Sequence, residues 1–162
     1  RNIRDLSQDE LKAFFIEKGD KAYRARQVWE WLWKQSARSF DEMTSLSKET
    51  RDMLQEHFTF PILTLDTEQI SSDRTIKDGF RLHDGNVVEG VLIPTDTRMT
   101  ACVSSQVGCS LTCTFCATGK LERIRNLTAD EIYDQVVIIR DQSMKHYNIG
   151  LSITMRVSNQ FT

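Results

Sequence analysis

Three closely spaced cysteines, Cys109, Cys113 and Cys116, constrain this chain more than any other feature. They lie in the stretch CSLTCTFC, where such short spacings favour a tight loop that turns all three thiols toward one centre. Thiolates are the soft ligands that iron-sulfur clusters select, and three of them leave one iron of a four-iron cluster without a protein ligand. An open iron predicts chemistry at the cluster rather than electron transfer alone.

A structural zinc site is the alternative that the same residues allow. Cys102 lies upstream of the other three, and closed tetrahedral zinc sites commonly have four cysteine ligands. A disulfide framework fits poorly, because three of the four cysteines are crowded together and no secretory apolar segment is present. The spacing therefore leaves both a four-iron cluster and a four-cysteine zinc site open.

The overall composition limits function only loosely. The chain has 162 residues, is 40% hydrophobic and carries a net charge of -2, so RNA binding would have to rest on local basic patches. No stretch approaches the roughly 20 apolar residues of a membrane helix, so no membrane partner is expected. Four cysteines without a leader segment predict a reducing, cytoplasmic location.

The first 60 residues predict a compact helical module. Ser7 and Glu10 have the spacing of a capping box, and Leu6 and Leu11 have the spacing of a hydrophobic staple. Asp20 is the expected N-cap of the next helix, which carries three tryptophans. Helices are predicted over about 7–18, 20–35 and 47–57.

Basic residues cluster beside the tryptophans of the second predicted helix. Only one acid, Glu30, lies among them. Such a surface could bind RNA phosphates while a tryptophan stacks on an unpaired base. The tryptophans could equally pack the module, with the basic residues as its solvated side. The candidate RNA-binding residues are Lys21, Arg24, Arg26, Lys34 and Arg38.

After Pro61 the apolar spacing becomes that of strands, which are predicted over 75–82, 87–93 and 98–103. Thr128 and Glu131 form a second capping box, which begins a helix through about Met144. The resulting order of strand, cysteine loop and helix is that of a first βα step in a (β/α) barrel. In such barrels the loops at the carboxyl ends of strands carry the chemistry.

The residues around the cysteines extend the comparison beyond spacing. The segments are TACVSSQVGCSLTCTFCATGKLERIRNLTADEIYDQ, VVEGVLIP and GDKAYRARQVWEWLWKQSARSFDEMTSLSKETRDML. Together they resemble the radical S-adenosylmethionine (radical SAM) methyltransferases that modify carbon 2 of adenine in 23S rRNA and, for the dual-specificity enzymes, in tRNA. The resemblance covers residues 1 to 150, and the last dozen residues depart from it.

The resemblance implies an α/β fold in which a small helical accessory domain and a β-hairpin extension precede the first βα step of a partial radical SAM barrel. Domain boundaries are expected as an accessory domain over 1–60, a linker and strand extension over 61–104, the start of the barrel over 105–150, and a divergent tail over 151–162.

The resemblance also implies the cofactors and the partners. A 4Fe-4S cluster is expected on Cys109, Cys113 and Cys116, with S-adenosylmethionine at its open iron. Phe115 is expected near the adenine of that cofactor, although a plain core phenylalanine is an equal alternative. The substrates would be 23S rRNA and tRNA, and an external, flavodoxin-like protein would donate electrons.

Two further residues receive roles from the same resemblance. Glu89 is expected to accept the proton from carbon 2 of adenine, and Cys102 is expected to resolve the bond to a methyl-carrying cysteine through a transient disulfide. From the residues alone, Glu89 could be the polar side of an edge strand, and Cys102 could be a small buried hydrophobe. Lys120, Arg123 and Arg125 could meet phosphate or a cofactor carboxylate, or lie solvated before the helix.

The end of the sequence departs from the family. Where a Met-Gly-Met-Gly-Glu-Pro motif is expected after Gly150, the chain reads LSITMRVSNQFT, and no cysteine follows Cys116. The methyl-carrying cysteine of the family therefore has no counterpart here. We expect the chain to represent the N-terminal portion of such an enzyme and to be unable to complete catalysis alone. The alternatives are a zinc-stabilised RNA-binding module and a fragment with neither bound metal nor activity.

Overall fold

The computed structural model describes residues 1–96, 98–109 and 121–149, together with the backbone of 156–157. The chain divides into two compact units, Arg1–Pro61 and Ile62–Thr162. Within the described residues, no helix combines the length and hydrophobicity that crossing a membrane requires.

The first unit is helical. A short 3-10 helix, Ile3–Asp5, precedes α1 (Gln8–Glu17), α2 (Tyr23–Trp33) and α3 (Lys48–His57). The predicted capping box is present, because the Glu10 amide donates to the Ser7 hydroxyl and the Ser7 amide donates to the Glu10 carboxylate. The apolar sides of these helices enclose one core, which includes Leu11, Phe15, Val28, Leu32 and Leu54.

The predicted cap of α2 is wrong. Ala22, not Asp20, is the N-cap residue, and it caps no amide with its side chain. Asp20 instead accepts hydrogen bonds from the Lys21 amide and from the Arg24 guanidinium. The helix begins at Tyr23, three residues after the start of the predicted range, and ends at Trp33 rather than about Gln35.

The second unit contains a five-stranded sheet. Its strands are β1 (Thr64–Ile70), β2 (Ile76–Arg81), β3 (Val87–Pro94), β4 (Met99–Val103) and, numbered last in chain order, β7 (Arg156–Val157). They lie in the order β1-β2-β3-β4-β7, with antiparallel pairing except between β4 and β7, which are parallel. The three predicted strands correspond to β2, β3 and β4.

The sequence patterns did not predict β1. All seven of its residues are exposed, so the strand buries neither face and has no apolar alternation. It is held at the sheet edge by its pairing with β2.

One face of the sheet is covered by α4 (Ala129–Tyr147), which begins at the predicted Thr128 capping box and ends three residues beyond Met144. Phe80 and Leu92 from the sheet and Ile139 from α4 are fully buried in the shared core. Alternating strand residues therefore divide into a face against α4 and a face away from it. The α/β fold class is confirmed, while the partial barrel stays a prediction.

Candidate active site

Glu89 and Cys102 lie on the same face of the sheet. Cys102 of β4 is directly opposite Val91 of β3, and Glu89 is two residues from Val91, so all three share a face. Their neighbours Val88, Gly90 and Leu92 are buried on the opposite side. The two residues assigned roles by resemblance are thus diagonal neighbours on the face that α4 leaves uncovered.

The carboxylate of Glu89 is exposed and ion-paired. Its side chain is 60% exposed, and its Oε1 atom lies 2.7 Å from Nζ of Lys77 on β2. A groove of about 130 Å³ beside this pair is also lined by Thr67, Gln69 and Gly79. A side chain at Gly79 would collide with the Thr67 hydroxyl, so the absence of a β-carbon allows the two strands to pair closely.

Cys102 is a reduced, half-buried thiol next to the last residue of β4. Ser104 follows the strand, and its hydroxyl donates to the backbone carbonyl of Glu89 over 2.7 Å. Ser104 also forms a reciprocal pair with the fully buried Gln135 of α4. The Ser104 amide donates to Gln135 Oε1 over 2.9 Å, and Gln135 Nε2 donates to the Ser104 carbonyl over 3.0 Å.

The cysteine loop leaves the sheet through a narrow neck. The neck is formed by β5 (Gln106–Val107) and β6 (Arg125–Asn126), which pair as an antiparallel ladder. Two further backbone bonds extend it, from the Ile124 amide to the Val107 carbonyl and from the Cys109 amide to the Leu121 carbonyl. Gly108 has φ of +73°, and a β-carbon there would collide with the Glu122 carbonyl. The neck therefore requires glycine beside Cys109.

The described part of the loop fits the proposed cluster chemically. Cys109 is half-buried at the neck, where hydrogen bonding to its backbone fixes the point from which its thiol projects. Cysteine sulfur is the soft ligand type that an iron-sulfur cluster selects, so a cysteine at this position suits the expected cluster. Cys113 and Cys116 lie outside the described residues, as do Phe115 and Lys120.

Arg125 occupies a network that sequence patterns did not reveal. Its guanidinium donates to Asp84 over 2.7 Å and makes two bonds to Glu131, of 2.7 and 2.8 Å. Glu131 also accepts from the Thr128 amide as part of the α4 capping box. His83 Nδ1 lies 3.2 Å from the same carboxylate. The side chain of Arg125 therefore bridges a hairpin turn and a helix start, in contrast to the solvated position that was one alternative.

These contacts also change the acidity of the groups involved. Burial opposes ionisation of Glu131, but the hydrogen bonds from Arg125 and Thr128 outweigh it and hold the pKa of Glu131 below its usual range. The same bonds to Glu131 raise the pKa of Arg125. Arg123 is less constrained and donates to the side-chain oxygen of Asn126.

The basic residues of the first unit are largely paired with acids. Arg24 lies 3.0 Å from Asp20, and Glu30 is within 3.2 Å of Arg26 and 3.6 Å of Lys34. Lys21 is exposed, with its ammonium 6.0 Å from the Tyr23 ring centre. Arg38 is half-buried and lines a groove with Phe58 and Phe60.

The tryptophans are partly buried and pack against the helical core. Trp29 and Trp33 have ring centres 5.9 Å apart, and the Trp31 indole donates to Ser45. This packing is the structural role that was the alternative to base stacking.

Residues 1–60 match the family model described as the ribosomal RNA large subunit methyltransferase N-terminal domain. Among curated proteins, the chain is 61% identical over 150 residues to the probable dual-specificity RNA methyltransferase RlmN of Cytophaga hutchinsonii. That match covers 93% of this chain and 41% of the relative. The dual-specificity RNA methyltransferase RlmN of Geobacter sulfurreducens is 48% identical, over 86% of this chain and 39% of that protein.

The fold is also similar to that of a solved protein. The crystal structure of a radical SAM methyltransferase from Sphaerobacter thermophilus superposes with a TM-score of 0.79 at 39% identity, covering 94% of this chain and 45% of that one. The chain spans about two fifths of the length of the curated relatives it matches. By sequence and by fold, the chain is similar to the N-terminal portion of the RlmN RNA methyltransferases and of a radical SAM methyltransferase.

Proposed function

We propose that the chain is the cluster-binding and RNA-binding part of a methyltransferase that acts on carbon 2 of adenine in 23S rRNA and tRNA. The observation that carries the proposal is the placement of Glu89 and Cys102 on the sheet face opposite α4, with β4 running directly toward the neck that holds Cys109. The methyltransferase names of the relatives favour this function over the zinc-stabilised RNA-binding module.

Carbon 2 of adenine is electrophilic, so the proposed reaction needs radical chemistry. When bound, a 4Fe-4S cluster and S-adenosylmethionine would supply it, with electrons from an external, flavodoxin-like donor. Cys109, Cys113 and Cys116 would hold the cluster, and Phe115 would contact the cofactor adenine. The methyl group would pass to RNA through a methyl-cysteine intermediate.

Glu89 is the proposed proton acceptor. Its carboxylate is exposed on the sheet face opposite α4, where an adenine of the RNA could approach it. To accept a proton from that adenine, the carboxylate must come within hydrogen-bond distance of it. Lys77 lies against the same carboxylate and keeps a positive charge beside it. A phosphate of the RNA substrate could therefore bind Lys77 while Glu89 faces the adenine ring.

Cys102 is the proposed resolving thiol. Its thiolate would attack the sulfur of the methyl-carrying cysteine, forming a disulfide as the carbon-sulfur bond breaks and its electron pair passes to the adenine-bound carbon. A half-buried position suits this role, because the thiol is reachable from the sheet face but shielded from bulk oxidants.

RNA would bind the first unit through the basic residues of that unit. Lys21, Arg24, Arg26, Lys34 and Arg38 are the proposed contacts. Because Asp20 and Glu30 pair with three of these residues, RNA phosphates would have to compete with carboxylates. We therefore expect modest, strongly salt-dependent affinity from this unit.

Metal content tests the proposal directly on this chain. The purified chain is reconstituted with iron and sulfide without oxygen, and iron, sulfide and zinc are measured per chain. We expect about four irons and four sulfides, lost in Cys113→Ala. Cys102→Ser is the matched variant, because it removes a cysteine outside the proposed cluster set and should leave the iron content unchanged.

The zinc alternative gives the opposite result. One tightly held zinc that is lost in Cys102→Ser as well as in Cys113→Ala would identify a site with four cysteine ligands. That outcome would reject the cluster and with it the radical methyltransferase proposal for this chain.

A further inference from the structure

Arg125 links the neck of the cysteine loop to two other segments of the second unit. Residues 106–107 and 125–126 form only a two-residue ladder, which by itself is too short to be stable. Arg125 lies in that ladder, directly opposite Val107. Whatever fixes Arg125 therefore also fixes the strand that closes the loop.

Two separate segments hold the Arg125 guanidinium. Asp84 is in the turn between β2 and β3, and Glu131 is in the first turn of α4. Glu131 is 6% exposed and receives a bidentate pair of charge-assisted bonds, the geometry in which such bonds are strongest. Both carboxylates belong to segments that are anchored in the sheet and helix core. The bonds from Arg125 to these carboxylates therefore restrict the motion of the neck.

The neck in turn fixes the backbone of Cys109. The Cys109 amide bonds to the Leu121 carbonyl, and the Ile124 amide bonds to the Val107 carbonyl. Val107 at the base of the neck is buried in the core, but Leu121 and Ile124 are exposed at 59% and 63%, so apolar burial contributes little at the end beside Cys109. Beside Cys109 the closure therefore rests on backbone hydrogen bonds, which continue the ladder that holds Arg125.

We infer that Arg125 is a positioning residue that clamps the neck of the cysteine loop and thereby sets where the Cys109 thiol projects. The inference rests on the proposed function in one respect, that the Cys109 thiol is a ligand of the cluster. The clamp itself is a property of this chain's own residues. Arg125 would touch neither cofactor nor RNA in this role.

Amide hydrogen exchange of the whole chain without metal tests the clamp. Arg125→Met should speed exchange of the Cys109 and Ile124 amides about tenfold or more, because charge-assisted bonds are lost beside the neck. Arg140→Met is the matched control, since Arg140 pairs with Asp141 on the far part of α4. Arg125→Lys should restore part of the protection. Equal exchange in Arg125→Met and the control would overturn the clamp.

A second measurement links the clamp to the cluster. Chains reconstituted with iron and sulfide are exposed to a chelator, and the rate of iron loss is followed by the visible absorption of the cluster. Arg125→Met should lose iron at least about fivefold faster than Arg140→Met, because the neck beside Cys109 opens more often when Arg125 is absent. Faster exchange with unchanged iron loss would overturn the positioning role.

Asp84→Asn tests the clamp without altering the capping box at the start of α4. It keeps the oxygen that accepts from the Asn86 amide and leaves the Thr128 and Glu131 capping box intact, but it removes the charge that faces Arg125. An intermediate increase in Cys109 exchange is expected, and wild-type exchange would contradict the contribution of Asp84. If the wild-type chain assembles no cluster, the proposed function fails, and the exchange results still decide the clamp.

Discussion

Cys102 on β4 lies directly opposite Val91 on β3, on the sheet face that α4 leaves uncovered. Directly opposed residues of an antiparallel pair have α-carbons about 4.5 to 5.5 Å apart, which is within the range that a disulfide can bridge. With Cys109, Cys113 and Cys116 replaced by serine, Val91→Cys should therefore form a disulfide with Cys102 under mild oxidation, detectable by mass spectrometry.

Leu92→Cys is the matched control for this register. Leu92 is fully buried on the α4 face, so its thiol should not reach Cys102. A disulfide in Leu92→Cys and none in Val91→Cys would mean that the faces of β3 are reversed, and that Glu89 points toward α4.

Gly90 keeps space open between the sheet and α4. A β-carbon at this position would lie 2.5 Å from the Phe80 ring and 3.2 Å from Ile139 Cδ1. Gly90→Ala should therefore destabilise the second unit by about 1–3 kcal/mol, the usual cost of overpacking a core. Hydrogen exchange of the β3 amides would measure it. Ile93→Ala, on the exposed side of β3, should have a clearly smaller effect, and equal effects would contradict the packing described here.

Asp78 is a buried carboxyl that should destabilise the fold at neutral pH. It is 1% exposed, and burial, reinforced by the nearby Glu68 carboxylate, raises its pKa from 3.8 despite a hydrogen bond from Gln142. Because the folded pKa exceeds the unfolded value, stability should fall as the pH rises above 3.8 through the folded pKa. Asp78→Asn should remove this loss and stabilise the unit at pH 7 by about 1 kcal/mol.

The orphaned oxygens around Asp78 strengthen this expectation. Oδ2 of Asp78 and Oε1 of Gln142 are both buried without a hydrogen-bond partner, and an asparagine amide could donate where the carboxylate cannot. Hydrogen exchange of β2 amides at pH 7 and at pH 3 would give the two free energies. A stabilisation that is equal at both pH values would show that ionisation of Asp78 is not its cause.

Asp84 should behave in the opposite way. Partial burial opposes its ionisation, but hydrogen bonds from the Asn86 amide and the Arg125 guanidinium lower its pKa from 3.8 to about 2. Its contribution to stability is therefore complete above pH 3.8 and lost as the pH falls through about 2. Carbon-13 NMR of the Asp84 carboxyl should show a midpoint near pH 2 that moves toward 3.8 in Arg125→Met. An unmoved midpoint would show that Arg125 does not stabilise the carboxylate.

Glu30 limits the charge that the first unit can offer to RNA. Because it pairs with both Arg26 and Lys34, Glu30→Gln should free two cations and strengthen binding of a short RNA hairpin about threefold or more at low salt. The gain should shrink as salt increases. Glu56→Gln, an exposed acid on α3, is the control, and equal affinity of the two variants would place the RNA contacts elsewhere.

The elements whose signals are local were predictable. The Ser7 and Thr128 capping boxes mark the starts of α1 and α4, because a cap depends on residues only three apart. The apolar run over 87–93 indicated a strand, and the spacing of the cysteines indicated the loop that follows β4. The roles of Glu89 and Cys102 came from resemblance and stay proposals.

Tertiary structure decided the remaining features because each depends on residues far apart in the sequence. Pairing with β2 makes an exposed segment without apolar alternation into β1. The register of β3 against β4 puts Glu89 and Cys102 on one face, and the packing of α4 covers the other face. Arg125 meets Asp84 only after the hairpin turn and the loop neck are folded, so no local pattern could have distinguished this clamp from a solvated arginine.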